Sequence, residues 1–387
     1  MLDPSDLYLD MNATAPLSRA AAGAMRDAME HALVNPASAH RAGERSARLL
    51  EAARADVAAL VGADPAEVVF TSGATEANHL ALFGLLGPPF RGRHLVVSSI
   101  EHSSLLEAAH LLEELGAEVT RVDPEPSGRV AAAALLAAVR PGTALVALMH
   151  SNNETGVLQP VHEVAEALAS RAIALHVDAA QSVGRVVVDA KALRATTIAF
   201  TSHKLGGPTG VGALVVRART RLAPLLRGGR QERGRRGGTQ PLLGAIGFAA
   251  AARAVHSRGP MGTIARDAFE ARLAELLPGV SIRGADVPRL PNTSSVTIPR
   301  ADARRLLDEL SRRGVHASAG SACQAGAPEP SHVLKAMRLP AAEVRATLRF
   351  SFGADHRGED GTRAAELVAA TATAIEEAAR IRGPRAG

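Results

Sequence analysis

From about residue 65 to residue 216, short apolar runs alternate with stretches of helical periodicity. The runs 68–70, 94–98, 118–122, 144–149, 173–177, 198–200 and 212–216 read as strands, each bounded by polar or turn residues. Helical patterns near 74–82, 103–115, 132–138 and 161–169 separate several of them. Such alternation predicts an α/β fold with a mainly parallel sheet, whose ligands sit beyond the carboxyl ends of the strands. Polar motifs fall at those ends: Thr71-Ser72-Gly73-Ala74-Thr75, Glu101-His102, Asn152-Asn153-Glu154 and Asp178. After residue 240 the pattern changes. Two helices are expected at 242–256 and 263–277, broken by Gly259-Pro260 and ended by Pro278-Gly279. A strand at 294–298, a helix at 301–313, a loop at 316–330, a strand at 346–352 and a helix at 363–381 follow. The expected organisation is a large domain over 15–250 and a smaller α+β domain made of 1–14 and 251–387.

Composition narrows the class. The chain has 387 residues, 47% of them hydrophobic and 21% charged, which is the balance of a soluble globular protein of two domains. One tyrosine and no tryptophan leave most of the core to aliphatic side chains. No run of about 18 apolar residues suggests a membrane span. The start Met1-Leu2-Asp3-Pro4 lacks the basic and apolar regions of a signal peptide. The single cysteine, Cys323, excludes an intrachain disulfide and fits a cytoplasmic location. It also excludes a multi-cysteine metal site, and His162-Glu163-Val164-Ala165-Glu166 has a glutamate where a zinc helix needs its second histidine, so no metal is expected. The formal charge of +5 is a mild excess; its densest basic cluster, 227–236, carries no nucleic-acid motif, and no direct nucleic-acid partner is expected.

Lys204 stands out because only three of the 44 basic residues are lysines. Arginine supplies charge but not a neutral amine. Lys204 closes Phe200-Thr201-Ser202-His203-Lys204, and Asp178 lies upstream in His176-Val177-Asp178-Ala179-Ala180-Gln181. A Schiff-base lysine and an aspartate at the pyridinium nitrogen are the protein groups a pyridoxal phosphate site requires, although a lone lysine at a strand end is ordinarily a solvated one. Ser72-Gly73-Ala74-Thr75, between a strand and a helix start, suits a phosphate and equally an ordinary helix cap. His102 suits stacking on a flat ring or a structural role. Cys323 sits among Gly320, Ser321, Ala322 and Ala325, a small-residue stretch that can expose a thiol, whereas a lone cysteine is more often a buried apolar residue.

In sequence order, Asn12-Ala13-Thr14, Asn35-Pro36-Ala37-Ser38, Thr71 to Asn78, Glu101-His102, Asn152 to Gly156, the Lys204 motif, Ser318 to Cys323 and Leu348-Arg349-Phe350-Ser351 resemble a pyridoxal-phosphate-dependent cysteine desulfurase of the class V aminotransferase family. The spacing from Cys323 to Arg349 resembles the long-loop group. Gln324 departs from the small hydroxyl residue common after the cysteine, and Thr201 stands where many relatives have serine. The resemblance implies a fold type I, aspartate aminotransferase-like transferase. It implies that Lys204 holds pyridoxal 5'-phosphate and moves protons, that Asp178 pairs with the pyridinium nitrogen and that His102 stacks on the ring. Gln181 and Asn152 would reach the ring oxygen, with Asn152 also near the substrate. Ala74, Thr75, Thr201 and His203 would hold the phosphate, and Arg349 would grip the carboxylate of L-cysteine. Cys323 would take the sulfur as a persulfide, on a loop at about 316–330, and pass it to an acceptor or scaffold protein serving iron–sulfur cluster assembly or tRNA thiolation. The segment Gly228 to Thr239 would cross a homodimer interface, with Thr239 reaching the partner's phosphate. A selenocysteine lyase or another class V reaction is the alternative.

Overall fold

The computed structural model describes residues 6–31, 33–259, 261–319 and 330–382, with side chains to residue 378. The strands among them are β1 (Leu7–Tyr8), β2 (Val68–Thr71), β3 (His94–Ser98), β4 (Glu118–Val122), β5 (Thr143–Met149), β6 (Ala174–Asp178), β7 (Thr197–Thr201), β8 (Gly212–Val216), β9 (Ser281–Ile282), β10 (Thr293–Thr297), β11 (Val315–His316) and β12 (Thr347–Ser351). Seven form one sheet in the order β2-β8-β7-β6-β5-β3-β4. The strands β3 to β7 run parallel, and β8 is antiparallel to both β7 and β2. Every run expected as a strand before residue 217 is a strand of this sheet.

Burial follows position. All residues of β2, β3, β7 and β8 are buried, so these strands are apolar without alternation, as expected of a sheet covered on both faces. Val96, Val146, Val177 and Ile198 meet Leu50, Val57 and Phe248 on one face. Leu95, Leu145, Ala199 and Leu214 meet Leu80, Leu105 and Leu112 on the other. The edge strand β4 exposes Glu118 and Arg121, polar residues that discourage further strand pairing. The helices Arg19–Met29 and Arg41–Ala59 were not anticipated; the second buries Gly43, Ser46, Ala53, Arg54 and Ala58 beside Leu50 and Val57, a face with little apolar contrast.

The second unit pairs β12, β10 and β9 antiparallel, while β1 pairs parallel with β11. Its core stacks Phe269 against Phe350 and Phe352, with ring centroids 4.7 and 5.6 Å apart, under Leu306, Leu310 and Val368. The N-terminal segment joins this unit through β1 and the Asp10–Ser351 bridge. The expected boundary near residue 250 falls within the helix Leu242–Arg258. No helix among the described residues is long and apolar enough to cross a membrane.

The strand order positions the site. The chain steps outward from β3 to β4, returns over β3 to β5, and continues through β6 to β7. That reversal opens a crevice at the carboxyl ends of β3 and β5, the usual ligand position in open α/β sheets.

Candidate active site

A cavity of about 420 Å³ opens at this crevice, lined among others by Thr14, Gly73, Thr75, Ser151, Asn153 and Thr209. Of the residues expected from sequence, Ala74, Thr75, His102, Asp178, Gln181, Thr201, His203 and Lys204 all line it. They arrive from four strand ends: His102 after β3, Asp178 at the end of β6, Thr201 at the end of β7, and Thr75 in the first turn of the helix Ala74–Leu86 after β2.

Lys204 lies in the short 3-10 turn Ser202–Leu205, which Gly206 closes at φ +79°. Its Nζ donates to Asn12 O and, at 2.6 Å, to Ala13 O. Burial, together with the charges of Arg185 and Arg349, pushes this amine down to about 7, against the pull of Asp10 and Asp178. Near neutral pH a large fraction of the amine is therefore nucleophilic, whereas an ordinary lysine holds its proton.

Asp178 is held from two sides. Its Oδ1 accepts from Ala180 N at 2.9 Å and its Oδ2 from Asn78 Nδ2 at 2.8 Å. Asn78 Nδ2 also reaches Ser104 Oγ at 3.0 Å, and Ser104 Oγ lies 2.8 Å from His102 Nδ1. His102 Nδ1 accepts from Ser104 N at 3.1 Å, so the neutral ring carries its proton on Nε2. Burial holds His102 below its ordinary pKa, and burial pushes His176, behind Asn78, down to about 4. With His176 neutral, its Nε2 donates to Asn78 Oδ1 at 3.0 Å and turns the Asn78 amide toward Asp178. Asn78 was part of the sequence motif but had no role in it. The signal was an amide among the buried, apolar positions of the helix, a group that must find partners.

The opposite end of the cavity suits an anion. The helix Ala74–Leu86 starts at Gly73 with no side-chain cap, leaving its N-terminal N–H groups to a ligand. Gly212 makes the close packing possible, because a Cβ there would stand 2.6 Å from Gly73 Cα. Glu76 fastens the loop, taking Ser72 N at 2.7 Å and Arg236 Nε at 2.8 Å. Part of the arginine-rich segment is thus tied to this chain's own loop. His203 Nδ1 lies 3.1 Å from Thr14 Oγ1, and burial with the Lys204 and Arg185 charges pushes it down to about 4.

Three expected residues stand elsewhere. Asn152 does not line the cavity: its amide donates to Ile100 O at 3.1 Å, and its oxygen accepts from Glu154 N and Thr155 N. Asn153 takes its place at the wall, with its side-chain oxygen unpartnered. This corrects the choice between adjacent asparagines, since a tight turn points one inward and the other out. Arg349 lies behind Asn153, donating to its carbonyl at 3.0 Å and to Asp10 Oδ1 at 2.6 Å, with Nε unpartnered among the described residues. Thr239 is exposed and lines no part of this chain's cavity. Cys323 lies outside the described residues.

Glu101, beside His102, is fully buried. Its Oε1 takes Ser98 Oγ at 2.5 Å and Met149 N at 2.8 Å, which fastens the end of β3 to β5. Burial pushes its carboxyl up to about 8, so it stays neutral at pH 7 and adds no second negative charge beside Asp178. The donor set fits pyridoxal phosphate: an amine at Lys204, a carboxylate at Asp178, an imidazole at His102, and an uncapped helix start for the phosphate.

Residues 7–361 match the family model for class-V aminotransferases. A cysteine desulfurase of Cereibacter sphaeroides is 40% identical over 350 residues, covering 89% of this chain and 90% of its own. The cysteine desulfurase IscS of Dictyoglomus turgidum is 34% identical over 360 residues, covering 92% and 91%. A solved NifS-like protein superposes with a TM-score of 0.86 at 30% identity, covering 94% of this chain and 98% of its own. SspA, solved in complex with cysteine, gives 0.81 at 35% identity over 89% and 98%.

Proposed function

The chain belongs to the class V aminotransferase family, in which it is a pyridoxal-phosphate-dependent cysteine desulfurase, and from that premise we propose how its residues divide the work. Lys204 would hold the cofactor through its amine and would carry the α-proton of L-cysteine. Asp178, aimed by Asn78, would pair with the pyridinium nitrogen, and His102 would stack on the ring and serve the substrate thiol. The helix start at Ala74 and Thr75, with Thr201 and His203, holds the phosphate. Gln181 and Asn153, both at the cavity wall, would reach the ring oxygen and the substrate. The bound cofactor supplies an electron sink for the bonds at the α-carbon. Arg349 takes the substrate carboxylate, for which its unpartnered Nε is a free donor.

Cys323 Sγ, as thiolate, attacks the substrate sulfur. The C–S bond breaks, alanine leaves, and Cys323 keeps the sulfur as a persulfide for an acceptor protein in the cytosol. The enzyme works as a homodimer in which Thr239 completes the partner's phosphate site. The observation that carries this reading is the meeting of Lys204 and Asp178 in one cavity. Incubation with L-cysteine and a thiol reductant is expected to release alanine and sulfide in equal amounts. Cys323→Ser should abolish both while keeping the visible band of the lysine-bound cofactor, and Lys204→Ala should lose that band. Undiminished sulfide from Cys323→Ser would sink the assignment.

A further inference from the structure

Arg185, in the turn after β6, is only 4% exposed, yet no carboxylate pairs with it among the described residues. Its Nη1 donates to Gln181 O at 2.8 Å and to Gln181 Oε1, and its Nη2 donates to Met11 O at 3.0 Å. With its oxygen taken, Gln181 turns its amide to Asn12 O, at 3.0 Å. Asn12 O and Ala13 O are the two acceptors of Lys204 Nζ. One guanidinium therefore fixes both the amide at the cavity wall and the turn that cups the amine. Two carbonyl acceptors match the two N–H donors of a neutral amine, whereas an ammonium has three. A buried arginine cannot relieve its isolation by losing its proton near neutral pH, so its charge stays beside Lys204.

The other charges facing Lys204 do not cancel it. Asp10 is engaged by Arg349 Nη2 and by Ser318 Oγ at 3.1 Å, and Asp178 by Asn78 and Ala180 N. Arg349 adds to the positive side, and burial holds His203 and His102 in their neutral forms. We propose that Arg185 is a positioning residue for Lys204, orienting Gln181 and the Asn12–Ala13 turn while its unpaired charge keeps the amine neutral and nucleophilic. The downward push on Lys204, to which Arg185 contributes, agrees with this geometry. The inference rests on Lys204 being the cofactor's amine.

The test is the pH dependence of pyridoxal phosphate uptake by the full-length chain after the cofactor has been stripped, read from the visible band. Wild type should show a midpoint near the value for Lys204, about 7. In Arg185→Met the midpoint should move up by about one pH unit or more, and uptake at pH 7 should slow about fivefold or more. Arg185→Lys, which keeps a charge but not the fork, should hold the midpoint nearer to wild type. Should Arg185→Met fail to fold, Arg185→Gln carries the same measurement. An unchanged midpoint in a folded, uncharged variant overturns the proposal. Borohydride reduction of loaded wild type, followed by peptide mass spectrometry, separates the two readings. A label away from Lys204 overturns the site assignment itself, whatever Arg185 does.

Discussion

Arg54 and Arg349 are both buried and both meet a carboxylate, but they are built differently. Arg54 gives Nη1 and Nη2 to the two oxygens of Glu232, at 2.6 and 2.9 Å, and Nε to Glu51 at 3.1 Å. Its Nη1 also reaches Val68 O, and its guanidinium lies 4.8 Å from the centroid of the Phe70 ring. Glu232 in turn accepts from Phe70 N at 2.9 Å. Arg349 spends Nη2 on Asp10 and Nη1 on a carbonyl, and leaves Nε unpartnered. A buried charge with every nitrogen engaged is architecture, here tying the arginine-rich segment beneath β2. A buried charge with an unused donor is a cost that a ligand can recover.

Breaking each pair in turn sharpens that contrast. Arg349→Lys should have the largest effect on turnover, lowering kcat/KM for L-cysteine about 100-fold, roughly 2.7 kcal/mol, because a point charge cannot reproduce the planar fork. Its thermal midpoint should barely move, and a kcat/KM within threefold of wild type would remove Arg349 from substrate binding. Glu232→Ala should do the reverse. Stranding the Arg54 charge costs about 3–5 kcal/mol in urea unfolding, while the folded fraction keeps most of its alanine release. A stable but inactive Glu232→Ala would erase the distinction between the pairs.

Glu101 predicts the smallest effect on turnover. Its folded value of about 8 lies above the unfolded value near 4.3, so the folded chain keeps a proton that the unfolded chain has released between those pH values. The stability this contributes is complete below the lower value and is lost as pH rises to the upper one. Glu101→Gln, permanently neutral, should match wild-type turnover at pH 7 within about twofold, since the native carboxyl is already neutral there. It should also flatten the fall in stability between pH 5 and 8. Parallel melting curves for the two proteins across that range would show that Glu101 is ionised in the fold.

Much of the site was legible before the fold. Lys204, Asp178, His102 and Thr75 were named from strand-end motifs, Gln181, Thr201 and His203 from the family resemblance, and all line the cavity. The first four were legible because each stands at a strand end or in the short turn beyond it, and an open parallel sheet brings strand ends to one side. Asn153, Asn78, Glu101 and Arg185 were not. Asn152 and Asn153 share one motif, and only the turn after β5 decides which side chain faces the ligand. Arg185 was hidden among the many arginines of the chain, and nothing local marks it as the buried one that meets no carboxylate among the described residues.

The sequence by itself determined the α/β alternation and the residue types that suit a pyridoxal phosphate site. These depend on periodicity and on motifs within a few residues, where short-range sterics and hydrogen bonding dominate. Only the tertiary structure decided how those groups are tuned. The carbonyls at Lys204 come from Asn12 and Ala13, nearly two hundred residues away, and the carboxylate on Arg349 comes from Asp10. Charge interactions and desolvation depend on distance in space rather than along the chain, so the state of Lys204 was set only when both termini folded back onto the strand ends.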